Sequence, residues 1–145
     1  NFNLEDYLIY PSYASGGAFK ISKINISKYK NLKKEQIYYL VCLYIAFMLN
    51  YCLDKMNSKN TIILDGPITK NLMIMKLLST LRPKQTVLKN KREIGTSLGA
   101  TNLFNINRKN KLNTISIKKF QNQSLFSLYQ LWESNLHKKE LFSHP

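Results

Sequence analysis

An unbroken apolar run in the first third of the chain is the feature that most constrains its fold. Residues 37–49 read IYYLVCLYIAFML, and Asn50 interrupts the run before a short extension. A helix this apolar is either packed on several sides in a protein core or embedded in a membrane. We predict a core helix over residues 33–57, because charged residues close the run at the lower edge of transmembrane length. A membrane-spanning helix is the alternative.

Two cysteines, Cys42 and Cys52, lie within this helix. Two thiols cannot form a disulfide-dense scaffold, and their spacing matches no zinc pattern. The histidines, His137 and His144, stand in a polar tail far from both cysteines along the chain. We therefore expect two reduced thiols in the core and no metal site.

The 145-residue chain is strongly basic, with 22 Lys and Arg against 8 Asp and Glu and a formal net charge of +14. Its 44% of hydrophobic residues argues against disorder. Lys outnumbers Arg 19 to 3, and a composition rich in Lys, Asn and Ile is typical of codon drift. Residues 82–119 hold ten of the cations against Glu93 alone. We interpret this stretch as a solvated surface; a polyanion-binding surface is the alternative, and no nucleic-acid-binding motif supports it.

The first residues, Asn1 to Asp6, are polar and acidic, which is the wrong opening for a signal peptide. We therefore expect a cytoplasmic protein. Because the chain starts with Asn rather than Met, we also expect it to be processed or to be a piece of a longer protein.

Short strands alternate with helices along the rest of the chain. The predicted elements are a short strand near Ile24, the long helix, a strand over 61–64, a helix from Thr69 or Lys70 to Leu81, a strand over 86–88, a helix over 93–104, a basic loop over 105–122 and a last helix over 124–141. This alternation predicts an α/β fold. Two neighbouring strands are too few for a complete α/β domain, so we expect the back half of a larger unit.

The segment 61–72, TIILDGPITKNL, predicts a strand that ends in a tight turn and enters a helix. Such a turn favours anions through its backbone N–H groups and the helix dipole, and it is a common phosphate or nucleotide site. The segment matches neither the Walker A loop nor the dinucleotide-binding glycine pattern. The alternative is that Gly66 and Pro67 simply reverse the chain.

Three motifs taken in order sharpen this interpretation: YPSYASGGAF at 10–19, ILDGPITKN at 63–71 and EIGTSLGAT at 93–101. Their succession resembles the C-terminal domain of the FGGY family of carbohydrate kinases, and the closing Tyr129 and Trp132 resemble the end of such kinases. The resemblance implies an actin-like, ribonuclease-H-like ATPase fold. Residues 1–145 would then be a partial C-terminal, nucleotide-side domain.

The resemblance also implies a reaction, which is transfer of the γ-phosphoryl group of ATP to a hydroxyl of a sugar or polyol, with Mg²⁺ bound through the nucleotide. Gly66 would lie against the phosphates or ribose, Asn71 would reach the adenine side, and Gly99 with Ala100 would pack the following helix close to the site. The implied nucleotide-binding residues are Gly66, Pro67, Ile68, Asn71 and Gly99.

The sequence departs from the family pattern at the turn. Pro67 stands where the family has a second Gly, so one N–H donor is lost and the loop is stiffened. Lys70 occupies a usually small position, and we interpret it as solvated, with a phosphate contact as the alternative. We expect Asp65 to stabilise the turn by accepting hydrogen bonds from nearby backbone amides.

Other parts of the family's machinery have no match in residues 1–145. These are the general base, which is an Asp, the Gly/Thr-rich phosphate loop that follows it, and the N-terminal domain that binds most of the sugar. We therefore expect ATP or ADP and a sugar or polyol as partners of the whole kinase, and no kinase activity from this chain alone. Exposed apolar surface would favour self-association into homo-oligomers. The alternatives are a non-catalytic module that binds polyanions and a remnant of a decayed kinase gene.

Overall fold

The structure is a computed structural model that describes residues 2–11, 26–91, 113–120 and 122–141. The chain divides into two compact units, a first unit of residues 1–51 with 122–145 and a second unit of residues 52–121. The helices are α1 (Lys34–Lys55), α2 (Leu72–Leu81) and α3 (Ser124–Leu141), and the strands are β1 (Ile62–Leu64), β2 (Val87–Asn90) and β3 (Thr114–Ser116). Short 3-10 turns cover Leu4–Tyr7, Ile26–Tyr29 and Gly66–Lys70. The predicted α/β class is confirmed.

In the first unit, the core forms around Trp132 of α3, which is fully buried. The Trp132 ring lies 5.7 Å from the ring of Phe47 and 6.3 Å from that of Tyr51, measured between centroids. The indole nitrogen donates a hydrogen bond to the carbonyl oxygen of Ile9 at 2.8 Å. Because a buried indole N–H needs an acceptor, this bond ties the N-terminal segment to α3.

Within the described part of the chain, the fully buried residues of α1 lie on one face, whereas the prediction was a core helix packed on both sides. Leu40, Leu43 and Phe47 recur at helical spacing and are buried, while Tyr38 and Val41 are 52% and 41% exposed. By length and composition α1 also qualifies as a membrane span, a test that the core helix of a soluble protein passes equally well.

The two cysteines differ in exposure. Cys42 is free and buried, as predicted, but Cys52 is free and exposed, so the expectation of two core thiols is wrong for Cys52. The physical reason is angular: ten positions along an α-helix turn a side chain through about 1,000°, which places Cys52 roughly 80° from Cys42 around the axis.

In the second unit, β1 and β2 are parallel and β3 pairs with β2 in the antiparallel direction. Two parallel neighbours need a crossover connection, and α2 with the turn that precedes it supplies one. The apolar positions of α2 supply the helix side of this unit's core: Ile74, Met75, Leu77, Leu78 and Leu81. Leu72, an apolar residue at the start of α2, is instead 52% exposed.

Two buried hydroxyls of α2 bind the segment that follows β3. Ser79 Oγ donates to the carbonyl oxygen of Ile117 at 3.2 Å. Thr80 Oγ1 accepts from the backbone N–H of Phe120 at 2.9 Å. These bonds satisfy polar groups that would otherwise be costly to bury, and they fix the return of the chain along α2.

The predicted basic loop over 105–122 needs a correction, because β3 lies inside it. The alternation of polar and apolar residues in TISI at 114–117 is a signal for a strand, but it is short and stands among Lys and Asn residues, so the loop prediction missed it. Residues 105–112 lie outside the described part, as do the predicted helix over 93–104 and the predicted strand near Ile24.

Candidate functional site

The candidate site is the turn between β1 and α2, residues 65–71. We call it the nucleotide turn after the role that the family resemblance predicts for it. It follows the carboxyl end of a parallel strand, which is the edge of an α/β sheet where ligands usually bind. Gly66 adopts φ +75°, a left-handed conformation that side chains disfavour. A Cβ placed on Gly66 would meet no atom within 4 Å, so the backbone of the turn is open on this side.

The turn is a short 3-10 helix, Gly66–Lys70, with Pro67 in its first positions. The N–H that Pro67 lacks is among those that a helix leaves unpaired at its start, so proline fits here without removing an intrahelical bond. Thr69 is buried, and its Oγ1 donates to the Gly66 carbonyl oxygen at 2.7 Å. Proline and the Thr69 bond together hold the turn in one shape.

Asn71 links the turn to α2. Its Oδ1 accepts a hydrogen bond from the backbone N–H of Ile74 at 3.1 Å, and its backbone N–H donates to the Ile68 carbonyl oxygen at 3.0 Å. The first of these bonds is a standard helix N-cap, in which the side chain satisfies a donor of the first helical turn. Helix α2 therefore begins at Leu72, two to three residues later than the sequence predicts.

Asp65 interacts differently from the prediction. Its side chain makes no capping hydrogen bond to the 3-10 helix that follows it. Instead, Asp65 Oδ1 accepts a hydrogen bond from Asn90 Nδ2 at 3.1 Å. The backbone of Asp65 is extended, at φ −136° and ψ 163°. Because Asp65 continues the line of β1, its carboxylate reaches across to β2 rather than forward into the turn.

The structure thus places four predicted site residues in one turn: Gly66, Pro67, Ile68 and Asn71. Gly99, the fifth, lies outside the described residues, as does Ala100. Lys70 is exposed at the end of the turn. The sequence prediction missed Asn90; the available signal was a polar residue two positions after the last apolar residue of β2, Leu88.

The second unit also contains a cavity of about 510 Å³ near the ends of α1 and α2, away from the nucleotide turn. Its lining includes Asp54, Arg82 and Lys84. Arg82 Nη2 forms an ion pair with Asp54 Oδ1 at 2.7 Å. These residues precede β1 and β2, so the cavity belongs to the edge of the sheet opposite the nucleotide turn.

The basic stretch 82–119 is described only in part. Arg82 pairs with Asp54, and Lys119 Nζ donates to the carbonyl oxygen of Pro83. In the part of the chain that the structure describes, no group of three or more His, Cys, Asp or Glu residues is placed to hold a metal ion.

Comparisons with known proteins bear on the same segment. The family model for the C-terminal domain of FGGY carbohydrate kinases matches residues 4–113. The solved structure of a carbohydrate kinase from Novosphingobium aromaticivorans has a TM-score of 0.55 and 22% sequence identity, over 66% of this chain and 20% of that chain. The chain therefore spans about a fifth of that structure, and the likeness shows a shared fold. No curated protein matches this chain.

The family match covers most of the chain and includes the whole nucleotide turn. The structural likeness agrees with the actin-like ATPase fold that the sequence resemblance implies. We conclude that this chain belongs to the FGGY family of carbohydrate kinases and corresponds to part of its C-terminal domain.

Proposed function

We propose that this chain forms the nucleotide side of an FGGY carbohydrate kinase. The kinase as a whole would transfer the γ-phosphoryl group of ATP, with Mg²⁺ bound through the nucleotide, to a hydroxyl of a sugar or polyol. The observation that carries the proposal is the nucleotide turn: an open, rigid turn at the carboxyl edge of β1, within the residues that match the family.

The turn fits a nucleotide in two respects. Gly66 has open space beside its Cα, so a phosphate or ribose can approach the backbone closely. The turn leads directly into α2, whose N-terminal end carries a partial positive charge that favours an anion. Pro67 and Ile68 would then form the wall of the site, and Asn71 would reach the adenine side.

Lys70 is one of the cations at this edge, exposed at the end of the turn. Gly99 completes the proposed set, because the resemblance places its helix close to the nucleotide. In this proposal ATP supplies the phosphoryl group, and the residues named here bind and orient it.

Catalysis by these residues alone is not part of the proposal. Phosphoryl transfer depends on positioning the acceptor hydroxyl and removing its proton. The family assigns those tasks to a general base and a sugar pocket that have no match in residues 1–145. We therefore propose that the chain binds nucleotide and that the activity belongs to the whole kinase.

The two described residues with positive φ provide a matched test of nucleotide binding. Gly66 lies in the nucleotide turn, and Asn57, at φ 51°, follows α1 at the opposite edge of the second unit. Alanine at Gly66 is strained by about 1–2 kcal/mol, because a Cβ disfavours the left-handed region. Asn57 already carries a Cβ, so Asn57→Ala adds less strain and serves as the control at a second position with positive φ. Titration calorimetry with MgATP and MgADP would compare Gly66→Ala and Asn57→Ala with the unmodified chain.

We expect the unmodified chain and Asn57→Ala to bind nucleotide with similar affinity, and Gly66→Ala to bind at least about tenfold more weakly because the turn is distorted. Absence of nucleotide binding by the unmodified, folded chain would contradict the proposal. Steeply salt-dependent binding of an unrelated polyanion such as heparin, without binding of MgATP, would favour the polyanion module instead.

A further inference from the structure

The two parallel strands of the second unit end side by side, and a side-chain hydrogen bond joins the residues at their ends. The register pairs Leu64 with Lys89, so Asp65 and Asn90 form the next pair along the strands. Asn90 Nδ2 donates to Asp65 Oδ1 at 3.1 Å. Directly opposite residues on one face of a sheet are within reach of each other, which explains the contact.

The bond joins a buried amide to a half-buried carboxylate. Asn90 is 7% exposed, so its amide depends on protein partners rather than on water. A hydrogen bond to an ionised acceptor is stronger than one between neutral groups. The Asn90–Asp65 pair is therefore expected to be a persistent feature of this edge of the sheet.

Asp65 is also the residue that precedes Gly66, where the backbone changes from extended to left-handed. An anchor on the Asp65 side chain restricts the backbone at the start of the nucleotide turn. The anchor also directs one oxygen of the carboxylate toward β2. A carboxylate repels a nearby phosphate, and the repulsion weakens with distance, so a donor that holds the carboxylate toward β2 favours an anionic ligand at the turn.

We propose that Asn90 is a positioning residue for the nucleotide turn: its amide holds the Asp65 carboxylate toward β2 and thereby fixes the backbone at Gly66 for nucleotide binding. The inference rests on the proposed function, since it assigns a role in the same site. It adds a residue from a second strand that the family motif in 63–71 does not contain.

The decisive variant is Asn90→Asp, which has almost the same shape as the native residue. It places two carboxylates together, so one of their pKa values rises and the pair repels at neutral pH. We expect MgADP affinity about tenfold below that of the unmodified chain at pH 7, with the ratio returning toward one as the pH is lowered to about 5. Titration calorimetry across this pH range would measure the ratio.

A reciprocal exchange tests the geometry. The double variant Asp65→Asn with Asn90→Asp restores one amide donor and one carboxylate acceptor across the same strands. We expect its affinity to return to within about threefold of the unmodified chain. Ser79→Ala is the structural control, because it removes a hydrogen bond to Ile117 in the same unit and should leave the affinity unchanged.

Amide hydrogen exchange of the nucleotide turn provides a readout that does not need the ligand. Asn90→Asp should accelerate exchange in the turn, and the reciprocal exchange should restore protection. Normal affinity together with normal protection in Asn90→Asp would overturn the inference while leaving the proposed function intact. Failure of the unmodified chain to bind MgADP would instead overturn the proposed function, and unchanged protection would then overturn the positioning role as well.

Discussion

The two units of this chain are held together by different kinds of residue. All nine tyrosines and the single tryptophan of the sequence lie in the first unit, where aromatic rings surround Trp132. The second unit contains a three-stranded sheet, aliphatic side chains of α2 and buried polar groups such as Ser79 and Asn90. Large rings fill a core without needing many partners, whereas buried polar groups require defined ones. The comparison teaches that aromatic packing dominates the first unit, where Trp132 also donates a hydrogen bond to Ile9. The candidate site lies in the second unit, which holds most of the buried polar side chains among the described residues.

Among the predictions, the substitution Trp132→Ala in the first unit should have the largest effect on stability. Loss of this buried ring should lower the free energy of unfolding by about 3–5 kcal/mol, because the surrounding rings cannot fill the cavity. Urea denaturation would measure the loss. Cys42 is buried in the same unit, so its reaction with a thiol reagent should also accelerate, whereas exposed Cys52 should react at once in both proteins.

Phe126→Ala is the matched control for Trp132, because Phe126 lies on the same helix and is 38% exposed. Phe126→Ala should change the free energy of unfolding by no more than about 0.5 kcal/mol. The contrast between the two units would be contradicted if Trp132→Ala accelerated hydrogen exchange in the nucleotide turn as much as it accelerated the reaction of Cys42 with the thiol reagent. The two units would then unfold as one.

In the second unit, two substitutions of Asn71 separate its structural and functional roles. Asn71→Ala removes the N-cap of α2 and should destabilise the chain by about 1 kcal/mol. Asn71→Ser retains a capping oxygen, so thermal unfolding should change little. Both variants lack the amide proposed to reach adenine, so both should bind MgADP more weakly. Full nucleotide affinity in Asn71→Ser would assign Asn71 a capping role alone.

The ion pair between Arg82 and Asp54 should contribute less to the free energy of unfolding than the N-cap of α2. Asp54 is 48% exposed, and solvent screens its charge, while the Arg82 side chain is 10% exposed. We expect Asp54→Asn to destabilise the chain by about 0.5–1 kcal/mol, near the upper end for exposed pairs because Arg82 loses its anion. The difference from the unmodified chain should shrink in 1 M NaCl, where screening acts over only about 3 Å. A difference that is insensitive to salt would show that packing, not charge, is responsible.

The smallest expected effect is a loss of stability at alkaline pH, which is confined to the first unit. Burial raises the pKa of four tyrosines above the ordinary value of 10.0: Tyr10, Tyr29, Tyr39 and Tyr44. Their neutral form is favoured in the folded state, so this contribution is fully present below pH 10. Above pH 10 the unfolded chain loses tyrosyl protons that the folded chain retains, and stability falls as the pH passes through the raised values.

Tyrosinate absorbance and Cys42 reactivity, followed together from pH 9 to 12, would test this expectation. The second unit contains no tyrosine, so exchange protection at Ser79 and Leu78 should persist to higher pH. If Ser79 and Leu78 lost exchange protection at a lower pH than that at which Cys42 becomes reactive, the second unit would be the more alkali-sensitive one, contrary to this expectation.

Much of the fold could be predicted because long apolar periodicities report helices reliably. The run over 37–49 predicts α1, and the apolar positions from Leu125 to Trp132 predict α3, close to the observed bounds. The motif ILDGPITKN likewise predicts the strand, the turn and the helix that follow one another in the second unit. These features depend on residues that are neighbours in the sequence.

The misses have a common cause, which is dependence on residues far apart in the chain. The three-residue β3 is stabilised by its pairing with β2, a contact that the short alternation TISI at 114–117 cannot reveal by itself. Exposure of Cys52 depends on which face of α1 finds a partner. The partner of Asp65 depends on the register between β1 and β2, which places Asn90 beside it from 25 positions away.

The sequence by itself determined the order of α1, β1, α2, β2 and α3 and the family to which the chain belongs. These features depend on residues that are close together in the sequence: apolar residues at regular spacing, a glycine before a proline, and an asparagine able to cap a helix. Only the tertiary structure decided which face of α1 is buried, which ring stands at the centre of the first unit, and that Asn90 binds Asp65. Those outcomes require strands in register and helices in contact, and the energies that select them arise only when distant residues pack together.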